Sequence, residues 1–149
     1  MKVSNFRELR IRQAAMQLAE TTYTVTRSFP REEAFGLTAQ MRRSAVSVPS
    51  NIAEGHIRAS RRDFLRYLPI AEASLAELET QIELAARIGF ISPHNTKNLI
   101  QGSRALGRQI HATKSALARL KRHPSAVRRP PSAETRSDES QSPTTRRDR

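Results

Sequence analysis

Cysteine and tryptophan are absent from this 149-residue chain, and tyrosine and glycine are scarce, at two and five residues. Without cysteine there is no disulfide framework and no thiolate metal site, which fits a reducing cytoplasm. Five glycines are spread too thinly to form a phosphate-cradling loop. The histidines His56, His94, His111 and His123 show no pair at metal-ligand spacing, so neither a metal nor a cofactor is expected. No run of roughly 18 apolar residues exists, which predicts no membrane span. The N-terminal MKVSNFRELR lacks the apolar stretch of a secretory signal. Serine and threonine are common, yet no nucleophile and base stand at a spacing that pairs them, so no catalytic residue and no small-molecule substrate is expected. These absences point to a cytoplasmic binding or scaffolding protein and away from an enzyme.

What the chain has in excess is arginine. Lys and Arg total 26 against 14 Asp and Glu, a net charge of +12 at pH 7. Arginine grips phosphate bidentately where lysine acts as a point charge, and such a surface attracts polyanions. Residues 123–149, HPSAVRRPPSAETRSDESQSPTTRRDR, offer Val127 as their one large apolar side chain. That segment cannot bury enough surface to offset its ordering entropy, which predicts a disordered tail. It holds six arginines and four acids, so most of the surplus charge belongs to a folded domain at residues 1–122.

Within that domain the apolar residues repeat at helical spacing and no alternating strand pattern stands out. Phe64, Leu68, Ala71, Leu75, Leu78, Ile82 and Ala85 form one seam, and Leu99, Ser103, Leu106, Ile110, Thr113, Leu117 and Leu120 another. Steps of four and three keep each seam turned toward a partner helix. Ser60 with Asp63 reads as an N-cap, Ser92-Pro93 as a helix start, and Gly89 as a left-handed stop. Ile11, Ala14, Leu18, Thr21 and Val25 give a first helix its inner face; Leu37, Met41, Ser44/Ala45, Val48 and Ile52 give a second. Four helices on short loops predict an all-α, up-down-up-down four-helix bundle. Pro49 and Pro69 fall inside two of these patterns. A kink at Pro49 with Ser47 or Ser50 serving freed backbone groups is the preferred expectation, a break into two helices the alternative, and Pro69 predicts a bend.

Charge is placed unusually. Arg58, Arg61, Arg62 and Arg66 crowd the start of the third helix, and Glu72, Glu77, Glu79 and Glu83 occupy its later part. This opposes the helix macrodipole, so partners outside the helix are the better explanation. Phosphates are one such partner, reached by those arginines together with Arg42, Arg43, Arg104 and Arg108. The acidic block of a neighbouring copy is the other, which predicts head-to-tail assembly of a homo-oligomer. With few aromatic residues for base stacking, nucleic-acid contact is expected to run through the backbone, salt-sensitive and indifferent to sequence.

The run Ser44-Ala45-Val46-Ser47-Val48-Pro49-Ser50-Asn51-Ile52-Ala53-Glu54-Gly55 resembles the signature of the bacterial four-helix-bundle proteins encoded in intervening sequences of large-subunit ribosomal RNA genes. Leu37-Thr38, Gln40, Arg42-Arg43, Phe29-Pro30 with Glu33, and Ala71 with Ser74-Leu75 and Glu77-Leu78-Glu79 fit as well. The resemblance spans roughly residues 6–120. It departs at Arg12, where the family often has tryptophan, and at Pro69. Relatives in the same superfamily are accessory proteins of diversity-generating retroelements, so the resemblance implies a basic, ring-shaped homopentamer that binds nucleic acid and a reverse transcriptase. Pro49, Ser50, Asn51, Ile52, Ala53, Glu54 and Gly55 read as mainly structural, their small side chains letting helices approach closely. Two other functions stay open at this point: a protein-interaction scaffold whose basic face serves assembly or an acidic partner, and a ribosome-associated structural factor.

Overall fold

The seams of period 3.5 form helices, and side-chain caps fix the starts of the last two. A computed structural model describes residues 9–120 as α1 (Arg10–Thr26), a 3-10 turn (Arg31–Glu33), α2 (Leu37–Ile57), α3 (Arg61–Arg87) and α4 (Pro93–Arg119). No strand occurs among the described residues. The predicted tail at 123–149 lies outside them.

The caps explain the boundaries. The Ser60 hydroxyl accepts the Asp63 N–H at 3.0 Å and donates to the Asp63 carboxylate at 2.6 Å, closing the first turn of α3. Ser92 accepts from Asn95 N–H at 3.2 Å, with Pro93 at the first helical position of α4. Gly89 takes φ +82°, the left-handed conformation that ends α3 without steric cost.

Helices adjacent in sequence pack on one another, and α4 closes the ring against α1; the diagonal pairs α1–α3 and α2–α4 have no close backbone approach. The α2–α3 hairpin is the most extensive contact. Every predicted seam residue of α3 is buried, and Met41, Val48, Ile52, Leu99, Leu106 and Ile110 meet them in one core. Phe29 and Phe90, at ring centroids 5.5 Å apart, join the α1–α2 and α3–α4 connections and close one end of the bundle.

Two details differ from the pattern. In α1, Ala15 and Thr22 are buried where the seam pointed to Ala14 and Thr21, of which Ala14 is half-buried and Thr21 exposed. The Thr22 hydroxyl donates to Leu18 O at 2.8 Å, so its burial leaves no polar group unmet. In α4 burial ends at Ile110: Thr113 and Leu117 are half-buried and Leu120 is exposed. There Arg10, Ile11, Gln109 and Thr113 line an open groove between the start of α1 and α4. At the prolines the preferred reading holds against its alternative: α2 continues unbroken through Pro49, which excludes two shorter helices, and α3 continues through Pro69. Near Pro49, Ser50 Oγ donates to Val46 O at 2.8 Å and Asn51 Nδ2 to Ser47 O at 2.8 Å. Ser47 instead reaches across to Ser74 of α3, Oγ to Oγ at 2.8 Å.

Candidate nucleic-acid interface

The charge on α4 is of one sign. No Asp or Glu occurs from residue 84 to residue 133, so the whole helix is cationic or neutral. Lys97, Arg104, Arg108, His111 and Arg119 are all exposed. At 100° per residue they fall within an arc of roughly 80°, on the side opposite Leu99, Leu106 and Ile110, and the stripe is about 33 Å long at 1.5 Å per residue. Arg104 and Arg108 stand one turn apart, about 6 Å along the axis, and neither forms an ion pair among the described residues. The remaining lysine of α4, Lys114, lies off this arc and is salt-bridged to Glu72.

The other predicted arginines fall in two further places. Arg58, Arg61, Arg62 and Arg66 surround the α2–α3 turn, and the antiparallel order brings Arg119 at the end of α4 to the same end of the bundle. Arg61 and Arg62 are exposed, and Arg66 keeps only a 3.9 Å approach to Asp63 with 73% of its side chain exposed. Arg42 and Arg43 lie on α2 facing α1. Arg42 is half-buried, its Nε donating to Thr26 Oγ1 at 2.9 Å and its guanidinium 4.7 Å from the Tyr23 ring centre; Arg43 is exposed.

The four acids of α3 do not act as one block. Glu72 binds Lys114, and Glu79 accepts the buried Ser103 hydroxyl at 2.6 Å, so both spend their charge on α4 of their own chain. Glu77 takes a bond from Gln81 at 3.2 Å on its own helix. Glu77 and Glu83 remain on the exposed side.

Within the signature, Glu54 ties the end of α2 to α3. Its Oε1 accepts from Arg58 Nη2 at 2.8 Å and from Tyr67 Oη at 2.8 Å, while the Arg58 guanidinium lies 5.0 Å from the Tyr67 ring centre. Arg58 first, then Tyr67, pulls the Glu54 carboxyl below its ordinary value; the Glu54 bond pushes the Tyr67 phenol and the Arg58 guanidinium up. A depressed carboxylate supports the fold above its unfolded value and loses that support as pH falls through the folded one. A raised phenol supports it at lower pH and loses that support as pH rises through its folded value. The clamp therefore holds between the acid range of Glu54 and the alkaline range of Tyr67. Glu54→Gln is expected to bring one of the two tyrosines down toward its usual value in an ultraviolet phenolate titration; an unchanged curve rejects the bond.

The α2–α3 turn cluster and Arg104/Arg108 were legible as helix-spaced arginines. Lys97 and Arg119, which complete the α4 stripe, were missed; the acid-free run was the signal that finds them.

The model of the family described as 23S rRNA-intervening sequence protein matches residues 7–112. No curated protein matches the chain. Among solved structures, a protein of unknown function from the S23 ribosomal protein family of Bacteroides thetaiotaomicron is similar at TM-score 0.63 and 22% sequence identity. The match covers 70% of this chain and 97% of that one, and it supports the bundle fold alone.

Proposed function

This chain belongs to the 23S rRNA-intervening sequence protein family, and on that premise we propose a cytoplasmic, non-enzymatic protein that assembles into a homo-oligomer and binds nucleic-acid backbone through arginines. The observation that carries the reading is the acid-free face of α4, where Lys97, Arg104, Arg108 and Arg119 stand exposed along one stripe. Such a stripe suits phosphates spaced along a strand and reads no base edges. The ring of five and the reverse transcriptase partner come from the family resemblance.

Assembly draws support from the outer face of α3. Ile70, Leu84 and Ile88 are each about half exposed there, with Arg62 and Arg66 at one end and Glu77 and Glu83 toward the other. Opposite charges at the two ends suit a head-to-tail contact between copies. The same face favours the second reading, a protein scaffold.

Mass in solution by light scattering, with and without an RNA duplex at two salt concentrations, tests both. A discrete oligomer that gains mass with duplex at low salt is expected; one that ignores nucleic acid selects the scaffold, and a monomer rejects assembly. Preference for ribosomal RNA over other RNA and DNA selects the ribosome-associated alternative. Log affinity is expected to fall linearly with log salt, by about 0.9 per phosphate neutralised. Replacing Arg104 and Arg108 together by alanine is expected to flatten that slope by roughly 2 and weaken low-salt binding at least tenfold. Both are exposed, so thermal stability should stay within about 0.5 kcal/mol. An unchanged slope removes α4 from the interface.

A further inference from the structure

Phe35 is 97% exposed, whereas Phe29 and Phe64 are buried and Phe90 is half-buried. A bare phenyl ring is the costliest kind of side chain to leave in water. Its backbone is well anchored. The Gly36 N–H bonds to Glu33 O at 3.0 Å, and the Glu33 carboxylate accepts the Leu37 N–H at 2.8 Å, which ties the segment to the start of α2.

Beside the ring runs an open groove between the end of α1 and the outer face of α2, where Tyr23, Phe35, Arg42, Arg43, Val46 and Ser50 are among the lining residues. No carboxylate lines it. Tyr23 is about two-fifths exposed, and Arg42 is held against its ring by the Thr26 bond, so one guanidinium stands pre-oriented at the groove. Arg43 is exposed without a partner among the described residues. The groove thus combines two accessible aromatic rings, two guanidinium groups and serine hydroxyls. The α4 stripe, by contrast, has cations and no phenyl or phenol ring.

We propose that this groove is a single-strand site, in which an unpaired base of RNA or DNA stacks on Phe35 while the adjoining phosphate is held by Arg43 and Arg42. The proposal rests on the nucleic-acid reading above and adds to it a second, aromatic site with a different ligand form. Stacking needs a flat face and tolerates every base, and unpaired bases are the ones free to be splayed onto aromatic rings. Charge favours this occupant over a second copy of the chain. The groove is positive and each copy is itself strongly positive, so a polyanion is attracted where a like surface is repelled.

The experiment uses the full chain and three labelled probes read by fluorescence anisotropy: a short oligouridylate, the same backbone with abasic sites, and an RNA duplex. Phe35→Ala is expected to weaken oligouridylate binding at least fivefold and leave duplex binding within about twofold. Phe35→Trp should restore the single strand, and Arg43→Ala should weaken oligouridylate and the abasic strand alike. Wild type should bind the abasic strand about as weakly as the alanine variant binds oligouridylate. Equal single-strand affinity for wild type and Phe35→Ala, with duplex still bound, overturns the single-strand site and leaves the α4 reading standing. A Phe35→Ala protein of lower mass in solution with unchanged single-strand affinity also overturns it, and assigns the ring to a second copy. Wild type that binds none of the three probes overturns the nucleic-acid reading itself.

Discussion

Leu78→Ala is expected to remove about 3–4 kcal/mol of stability, within the range for buried leucine truncations, and to lower the melting midpoint on the order of 15 °C. Leu78 is fully buried on α3, the helix that packs against both α2 and α4. The loss combines the transfer free energy of three carbons with a cavity that neighbouring helices fill only in part. Against a total of about 5–15 kcal/mol for a domain of this size, one truncation takes a large share. Leu84, six residues along the same helix, is the internal control. It is 49% exposed, so Leu84→Ala is expected to cost no more than about 1 kcal/mol. Chemical denaturation of both variants checks the pair; equal losses would place the core of α3 on the wrong side.

Gly55→Ala should also destabilise, even though alanine is the better helix former by about 1 kcal/mol. A β-carbon at residue 55 meets the Tyr67 Cβ at 2.6 Å and Phe64 Cδ2 at 3.2 Å. The Tyr67 Cβ is fixed to the backbone of α3, so no rotamer change relieves the contact and the two helices must part. Parting them also strains the Tyr67–Glu54 bond. A net loss of about 1–3 kcal/mol is expected. Gly107 on α4 supplies the contrast: a β-carbon there meets only Leu75 Cδ2, at an ordinary 3.6 Å. Gly107→Ala should be neutral or stabilising by up to about 1 kcal/mol. If melting curves show both glycine variants gaining stability, close approach at residue 55 is not what the glycine provides.

The long seams of α3 and α4 were legible because large apolar residues repeat there without ambiguity, and their caps rest on residue types with few other uses. The inner face of α1 was not, because Ala14-Ala15 and Thr21-Thr22 offer adjacent residues of equal hydropathy, and only the angle of packing chooses between them. At Pro49 the structure keeps the preferred reading of one helix over a break into two, and α3 likewise continues through Pro69. Proline predicts disruption locally, but packing on both flanks outweighs one missing hydrogen bond. In the candidate site, helix spacing showed which arginines share a face but not which are already occupied. Glu72 reaches Lys114 from 42 residues away and Glu79 reaches Ser103 from 24; no one-helix pattern encodes such pairs. The Glu54–Arg58 pair was within reach as an i, i+4 spacing, whereas the Tyr67 bond that completes it crosses the hairpin. Phe35 looked unremarkable beside a helix start, and its exposure is visible only once the surrounding groove is assembled.

The two sides of α4 have one further consequence, and it concerns how such a chain changes over generations. The buried residues that hold the helix in place and the exposed cations of the stripe lie on opposite faces, so a mutation on one side is expected to have little effect on the other. Arginines on the outer stripe can be gained, lost or exchanged for lysine one at a time with small effects on folding. Each such change still moves the attraction for a polyanion by a measurable step. A lineage carrying this helix can therefore retune the charge of this face by drift through folded intermediates, without passing through an unstable ancestor.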